Sequence, residues 1–267
     1  DDNVKKVKTM LEAEIKELIK NLDGQCSIIV NNMTHGEKFA FNEDAVFPAA
    51  SLIKLWILWA LYKNASMRKV DLDEEIILCE EHKTGGFGVL QYMHAGLNIT
   101  LRDCATLMII LSDNTATNLL IDYLGIEKIN NEIRRLGMQK TALQRKMMDA
   151  EAKARGLDNF TSAQDVHVIL AAILDSPEMP SKFRQEMLDI LLKQQCNNKL
   201  PLLLPEGVLF AHKTGDLPNT EHDAGILFLN DAKIIIVVAV YGVKNNLDGI
   251  RFHNQFGYLV YNYYKQR

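Results

Sequence analysis

PAASLIKLWILWALY, residues 48–62, opens on Ser51 and Lys54 and then runs apolar through Leu55, Trp56, Ile57, Leu58, Trp59, Ala60 and Leu61. A run with so few polar positions has no solvent face, so the pattern predicts a buried helix. Side chains three apart on a helix lie on one face about a turn apart, which brings the Ser51 hydroxyl toward the Lys54 amine. A lysine at the mouth of a buried helix sits partly out of water. Desolvation disfavours its charged form and turns the cation into a base. A serine beside that base, with its own N–H among the unpaired donors of a helix start, is a candidate acyl-transfer nucleophile. Ser66-Met67-Arg68-Lys69 has the same spacing but lies in a polar stretch with nothing to desolvate its lysine.

Outward from this helix the periodicity divides the chain. Val4–Leu22 carries one apolar stripe and reads as a helix ended by Asp23-Gly24. Cys26–Asn31 and Lys38–Asn42 read as two strands of a hairpin turned through Gly36. From residue 48 to about 197 the pattern is helical: Leu52–Lys63, Leu101–Leu111, Thr115–Leu124, Ile126–Leu136, Ser162–Leu174 and Lys182–Gln195. Gly207–Thr214, Ala224–Leu229 and Ile234–Tyr241 return to strand, and Arg251–Lys265 closes as a helix. Strands at both ends with helices between imply an α/β fold: one antiparallel sheet assembled from both chain ends and flanked by helices, plus an inserted all-α lobe. The expected division is 1–46 with 198–267 as the sheet domain and 47–197 as the helical one. The cleft between them is the natural site, just past the crossing at Ser51.

The chain has 267 residues, 48% apolar and 24% charged, with net charge −4. That balance gives no electrostatic reason to expect nucleic acid or an anionic membrane as partner. No apolar run reaches spanning length. The four cysteines form no C-x-x-C pair, and the seven histidines show no H-E-x-x-H spacing, so neither a metal nor a cofactor is expected.

Two further constellations belong with the first. Ser112-Asp113-Asn114 joins an apolar helix to an amphipathic one, a rigid corner able to deliver a hydroxyl and an amide to the cleft. Asn114 is suited to hold a substrate amide and the Lys54 amine. Lys213-Thr214-Gly215 follows a strand-like run. On a sheet edge Gly215 allows close backbone approach, while Lys213 and Thr214 grip a carboxylate. The same triplet at Lys83-Thr84-Gly85 sits in a glycine-rich loop with no strand before it.

S-x-x-K, S-D-N and K-T-G in this order and context resemble the penicillin-recognising serine enzymes, most closely the class A β-lactamases. The resemblance covers nearly the whole chain, including SDNTATNLLIDYLG and IRRLG. It implies that Ser51 attacks a lactam or D-Ala carbonyl, Lys54 accepts the proton and Ser112 relays it to the leaving nitrogen. It also implies an oxyanion hole from the N–H groups of Ser51 and Asp216. The implied partner is a small molecule, a β-lactam or a D-Ala-D-Ala peptide, met by an exported mature chain acting as a monomer without its leader.

Two departures from that family stand out. Its deacylating glutamate lies two residues after an arginine, but here Arg145 is followed by Lys146 and Met147. Methionine is no base, leaving Asp149 or Glu151 as the nearby carboxylates. The arginine expected on the strand after K-T-G is also missing, and His222 is expected to pack at the strand start rather than replace it. Function therefore turns on deacylation: a serine β-lactamase if a carboxylate serves, a slowly deacylating D-Ala-D-Ala peptidase if none does. A non-catalytic penicillin sensor ranks last, because Ser51, Lys54, Ser112 and Lys213 are all present.

Overall fold

A computed structural model describes residues 2–266, with side chains described from Leu11 onward. Its main sheet is antiparallel, in the order β2-β1-β9-β8-β7. β1 (Gln25–Asn32) and β2 (Glu37–Phe41) form the expected hairpin, with Ile28 opposite Phe41. β7 (Leu209–Leu217), β8 (Thr220–Leu229) and β9 (Ala232–Tyr241) arrive from the far end of the chain, and β9 pairs with β1. The sheet thus draws on both ends, with β7 as an edge.

Alternation along the strands sorts two apolar faces. Ile28, Val30, Val238 and Val240 pack with α1 (Asp2–Lys20) and α9 (Asn246–Tyr264) through Leu11, Ile15, Phe252, Phe256 and Val260. Val4 and Val7 of the predicted stripe lie outside the described side chains. On the other face, Ile29, Ala211, Ala224, Ile226 and Val237 share one continuous core with the helical region. That region comprises α2 (Lys54–Ser66), α3 (Leu101–Ile110), α4 (Asn114–Leu124), α5 (Ile126–Arg135), α7 (Ala163–Asp175) and α8 (Ser181–Leu192). Every residue from Leu52 to Tyr62 is buried, so α2 is the axis of that core.

Several elements differ from the sequence expectation. β7 and β8 run past Thr214 and start before Ala224, meeting at a two-residue turn of Pro218 and Asn219, with Asn219 at φ 62°. The polar run Asp216–Asp223 hides a strand because its side chains have partners supplied by Lys199, Asn246, Pro48 and His212. Three-residue strands pair β3 (Val46–Pro48) with β6 (Phe160–Ser162) and β4 (Glu75–Ile77) with β5 (Asn98–Thr100). Such lengths carry too few alternations to register as a pattern. The five-residue helix α6 (Ala150–Ala154) lies in what reads as a charged loop.

Candidate active site

Ser51 belongs to a short 3-10 turn, Ala50–Ile53, that leads into α2. Neither the turn nor α2 has a side-chain N-cap, so the Ser51 hydroxyl does not serve as one. Ala50 takes φ 48°, a left-handed conformation that costs a residue with a Cβ about 1–2 kcal/mol. Ser112 does the same at φ 53°. Strain of this kind persists where surrounding packing imposes it; Ser51, next to Ala50, lines the cleft, and Ser112 is buried against the Lys54 and Lys213 amines.

Lys54 is fully buried. Its Nζ lies 2.7 Å from Ser112 O, 3.0 Å from Ser112 Oγ and 3.0 Å from Asn114 Oδ1. The expected meeting of amine and Ser51 hydroxyl is therefore not a hydrogen bond in this structure: the buried Lys54 nitrogen lies instead against three oxygens offered by the corner after α3. Lys213 is equally buried, and its Nζ donates to Ser112 Oγ at 3.1 Å and Thr214 O at 2.9 Å. Two amines share one hydroxyl. Burial, and then the neighbouring Lys213 charge, pull the Lys54 pKa well below its ordinary value. Burial brings Lys213 down to about 8.

The corner holding Ser112 is built by Asp113. As N-cap of α4 it accepts from Ala116 N at 2.9 Å, and its second oxygen accepts from Val89 N at 2.6 Å and Leu90 N at 2.9 Å. A Cβ on Gly88 would fall 2.2 Å from the Asp113 carboxyl carbon, so only glycine lets the loop close here. Asn114 is nearly buried and donates to Gly85 O at 3.0 Å. The second K-T-G is thereby explained: Lys83 pairs with Glu80 at 2.7 Å, and Thr84 N donates to Thr115 Oγ1 at 2.9 Å. It holds the cleft wall rather than a strand edge.

Opposite stands the edge of β7. Its two-residue hairpin makes Leu217 and Thr220 a hydrogen-bonded pair, as are Gly215 and His222, with Asp216 and Glu221 between them. The Asp216 N–H therefore points away from β8 to the open edge. A Cβ on Gly215 would lie 3.1 Å from Ala50 Cβ and 3.3 Å from Ser51 N, so the strand and the 3-10 turn approach as closely as a glycine permits. Thr214 is buried, and its Oγ1 has no partner among the described residues. His222 packs, as expected. It is fully buried against Phe47, its Nε2 is 2.9 Å from Pro48 O, and burial lowers its pKa to about 3.

Ser51, Asn114 and Asp216 line a cleft of about 410 Å³, together with Phe87, Met147, Met148, Asp149, Asn159 and Leu217. Met147 occupies the third position after Gln144, its backbone clamped by Asn118, whose Oδ1 accepts from Met147 N at 2.8 Å and whose Nδ2 donates to Met147 O at 3.1 Å. Arg145, at the same cleft, is paired with Asp158 at 2.7 Å, which balances its charge. Of the two carboxylates expected nearby, Asp149 lines the cleft while Oδ1 caps α6 through Ala152 N at 2.9 Å. Glu151 is not brought there. It is exposed in the first turn of α6, because Asp149 takes the cap position and the helix carries the next residues outward.

The sequence motifs did not identify Asn118 or Lys199. Asn118 falls one turn after Asn114 on the same helix face, a spacing that was available. Lys199 lies in no periodic pattern. For metals, Cys79, Glu81 and His82 bring ligand atoms within 4.8 Å of one another, but His82 Nδ1 already accepts from Cys79 N at 3.1 Å to cap a surface turn.

Known proteins are similar to this chain in sequence and fold. A beta-lactamase of Bacteroides uniformis is 25% identical over 220 residues, 76% of this chain and 74% of its own. One of Bacillus licheniformis is 24% identical over 228 residues, 84% of this chain and 73% of its own. The solved beta-lactamase of Sphaerobacter thermophilus superposes with TM-score 0.86 at 28% identity, covering 94% of this chain and 95% of that one. PBP-A superposes with TM-score 0.88 at 28% identity over 97% of each chain, as does a mutant of it solved as an acyl-enzyme complex with penicillin G. The pattern of the beta-lactamase enzyme family matches residues 10–264, and the chain belongs to that family.

Proposed function

We propose that the chain is a serine β-lactamase of the class A type, opening the lactam amide through an acyl-enzyme on Ser51. The observation that carries this reading is the pair of fully buried amines, Lys54 and Lys213, meeting at Ser112 Oγ beside the serine.

Neutral Lys54 has two N–H groups for the two acceptor-only oxygens, Ser112 O and Asn114 Oδ1, and a lone pair left over. When the Ser51 hydroxyl attacks the carbonyl carbon, that lone pair takes its proton. The resulting ammonium then fills all three contacts at 2.7, 3.0 and 3.0 Å. The oxyanion meets the N–H groups of Ser51 and Asp216, a donor pair of which each member typically contributes about 2.7–4 kcal/mol. Collapse breaks the C–N bond as Ser112 passes the proton from Lys54 to the leaving nitrogen. Lys213 and Thr214 hold the substrate carboxylate. Water then releases the acyl group, and Asp149, whose second oxygen is free of the helix cap, is the carboxylate for that step.

A second reading, a penicillin-binding D-Ala-D-Ala peptidase that deacylates slowly, is favoured by Met147 in the cleft wall where a glutamate would activate the water. Both substrates are met outside the cytoplasmic membrane, so the proposal includes export. No helix among the described residues is long and apolar enough to cross a membrane. The proposal also takes the chain to act as a monomer.

Excess chromogenic cephalosporin tests the proposal. Sustained turnover abolished by Ser51→Ala supports the lactamase. A single stoichiometric burst supports the slow peptidase, and no reaction refutes both.

A further inference from the structure

Lys199 lies outside every motif, yet it is fully buried against the strand that borders the cleft. Its Nζ is 2.7 Å from Asp216 Oδ1 and 2.6 Å from Glu221 Oε2, and it donates to the carbonyls of Gly215 and His222, each at 3.1 Å. Asp216 and Glu221 are directly opposite each other on β7 and β8. Side chains at opposed positions project from one face a few ångströms apart, and like charges there repel. The ammonium between them offsets that repulsion, and the carboxylates in turn allow a lysine to be buried at all.

The two carboxylates are not equivalent. Glu221 is 3% exposed, and Asn246 in the first turn of α9 donates to its Oε1 at 2.6 Å. The Asp216 side chain is 28% exposed and lines the cleft, so it is the member of the cluster that a ligand meets. Burial lifts Glu221 above the usual carboxylate range against the pull of Lys199. Asp216 is held below that range, because Lys199 more than offsets its burial. The neighbouring titratable groups are Lys213 and Asp223 on β7 and β8, His222 behind the edge and His253 from α9.

We propose that Lys199 is a specificity-determining positioning residue: it neutralises Asp216, so that the cleft admits an anionic substrate instead of repelling it. This rests on the proposed function. Lys199 touches no substrate atom. It acts through the carboxylate that would otherwise face the substrate's own carboxylate.

The test compares acylation of the wild-type chain, Lys199→Met and Lys199→Arg by penicillin G and by its uncharged methyl ester. A unit charge uncovered about 10 Å from a ligand charge, across an effective dielectric near 20, shifts a binding constant by roughly tenfold. Lys199→Met is expected to acylate roughly tenfold less efficiently with penicillin G, through weaker binding, and within about twofold of wild type with the ester. Lys199→Arg is expected to recover most of the loss. A fall shared equally by acid and ester, or no fall with either, overturns the assignment while leaving the proposed function standing. A wild-type chain inert to both compounds overturns the two together. Should Lys199→Met not fold, Lys199→Met/Glu221→Gln removes the buried charge excess, leaves Asp216 unpaired, and carries the same comparison.

Discussion

Replacing Lys213 by methionine should make the protein more stable at neutral pH and less active, and both effects should trace to the charge on this one amine. Burial lowers the Lys213 pKa from 10.5 to about 8. The folded chain therefore binds this proton less tightly than the unfolded chain, and stability rises with pH between the two values. Below about pH 8 the full penalty applies, roughly 3 kcal/mol, and above about pH 10.5 it is gone. Methionine removes the penalty but also the contacts to Ser112 Oγ and Thr214 O, each worth about 1 kcal/mol. The variant should thus gain roughly 1–2 kcal/mol at pH 7 and lose that advantage near pH 10.5. Urea unfolding at both pH values measures this. In the same series, wild-type acylation by a fluorescent penicillin should fall roughly tenfold between about pH 7 and 9 as Lys213 loses its charge, and this limb should be absent from the variant. A variant several kcal/mol less stable at pH 7, with the same deficit at alkaline pH, would refute the account of Lys213 as a charge held at an energetic cost.

Three further perturbations address the corner, the relay and deacylation. Asp113→Ala removes three acceptor contacts to backbone N–H groups and should destabilise the protein by roughly 3 kcal/mol in thermal or urea unfolding. Ser112→Ala should slow acylation about a hundredfold or more in stopped-flow while leaving the fold intact by circular dichroism, since it removes the hydroxyl between both amines. For deacylation, acyl-enzyme lifetime by mass spectrometry should lengthen in Asp149→Asn, stay unchanged in Glu151→Gln and shorten in Met147→Glu.

Much of the site was legible in the sequence because its chemistry is carried by short runs whose flanks reveal their setting. Ser51 and Lys54 stood out through the apolar helix behind them, and Lys213 through the strand before it. The strand lengths were less visible. Asp216, Glu221, His222 and Asp223 look like a turn until Lys199, Asn246, Pro48 and His212 are known to satisfy them, and those partners come from distant segments. The same holds for the Lys54 contacts, which cross from residue 54 to residues 112 and 114. Spacing along a helix indicated Ser51 as the neighbour, but the acceptors that outcompete it are fixed only by the left-handed backbone at Ser112. Asp149 and Glu151 were equivalent in sequence. The helix cap made by Asp149 is what separates them.

The claim on which the mechanism depends is that Lys54 is an uncharged base in the resting enzyme. An NMR titration of protein carrying 13Cε-labelled lysine, with the Lys54 signal assigned by its absence from Lys54→Arg, measures this directly. Lys54 is predicted to titrate well below the ordinary lysine value, because burial and the Lys213 charge both oppose protonation. A Lys54 signal that titrates near 10.5, the ordinary lysine value, would contradict the account.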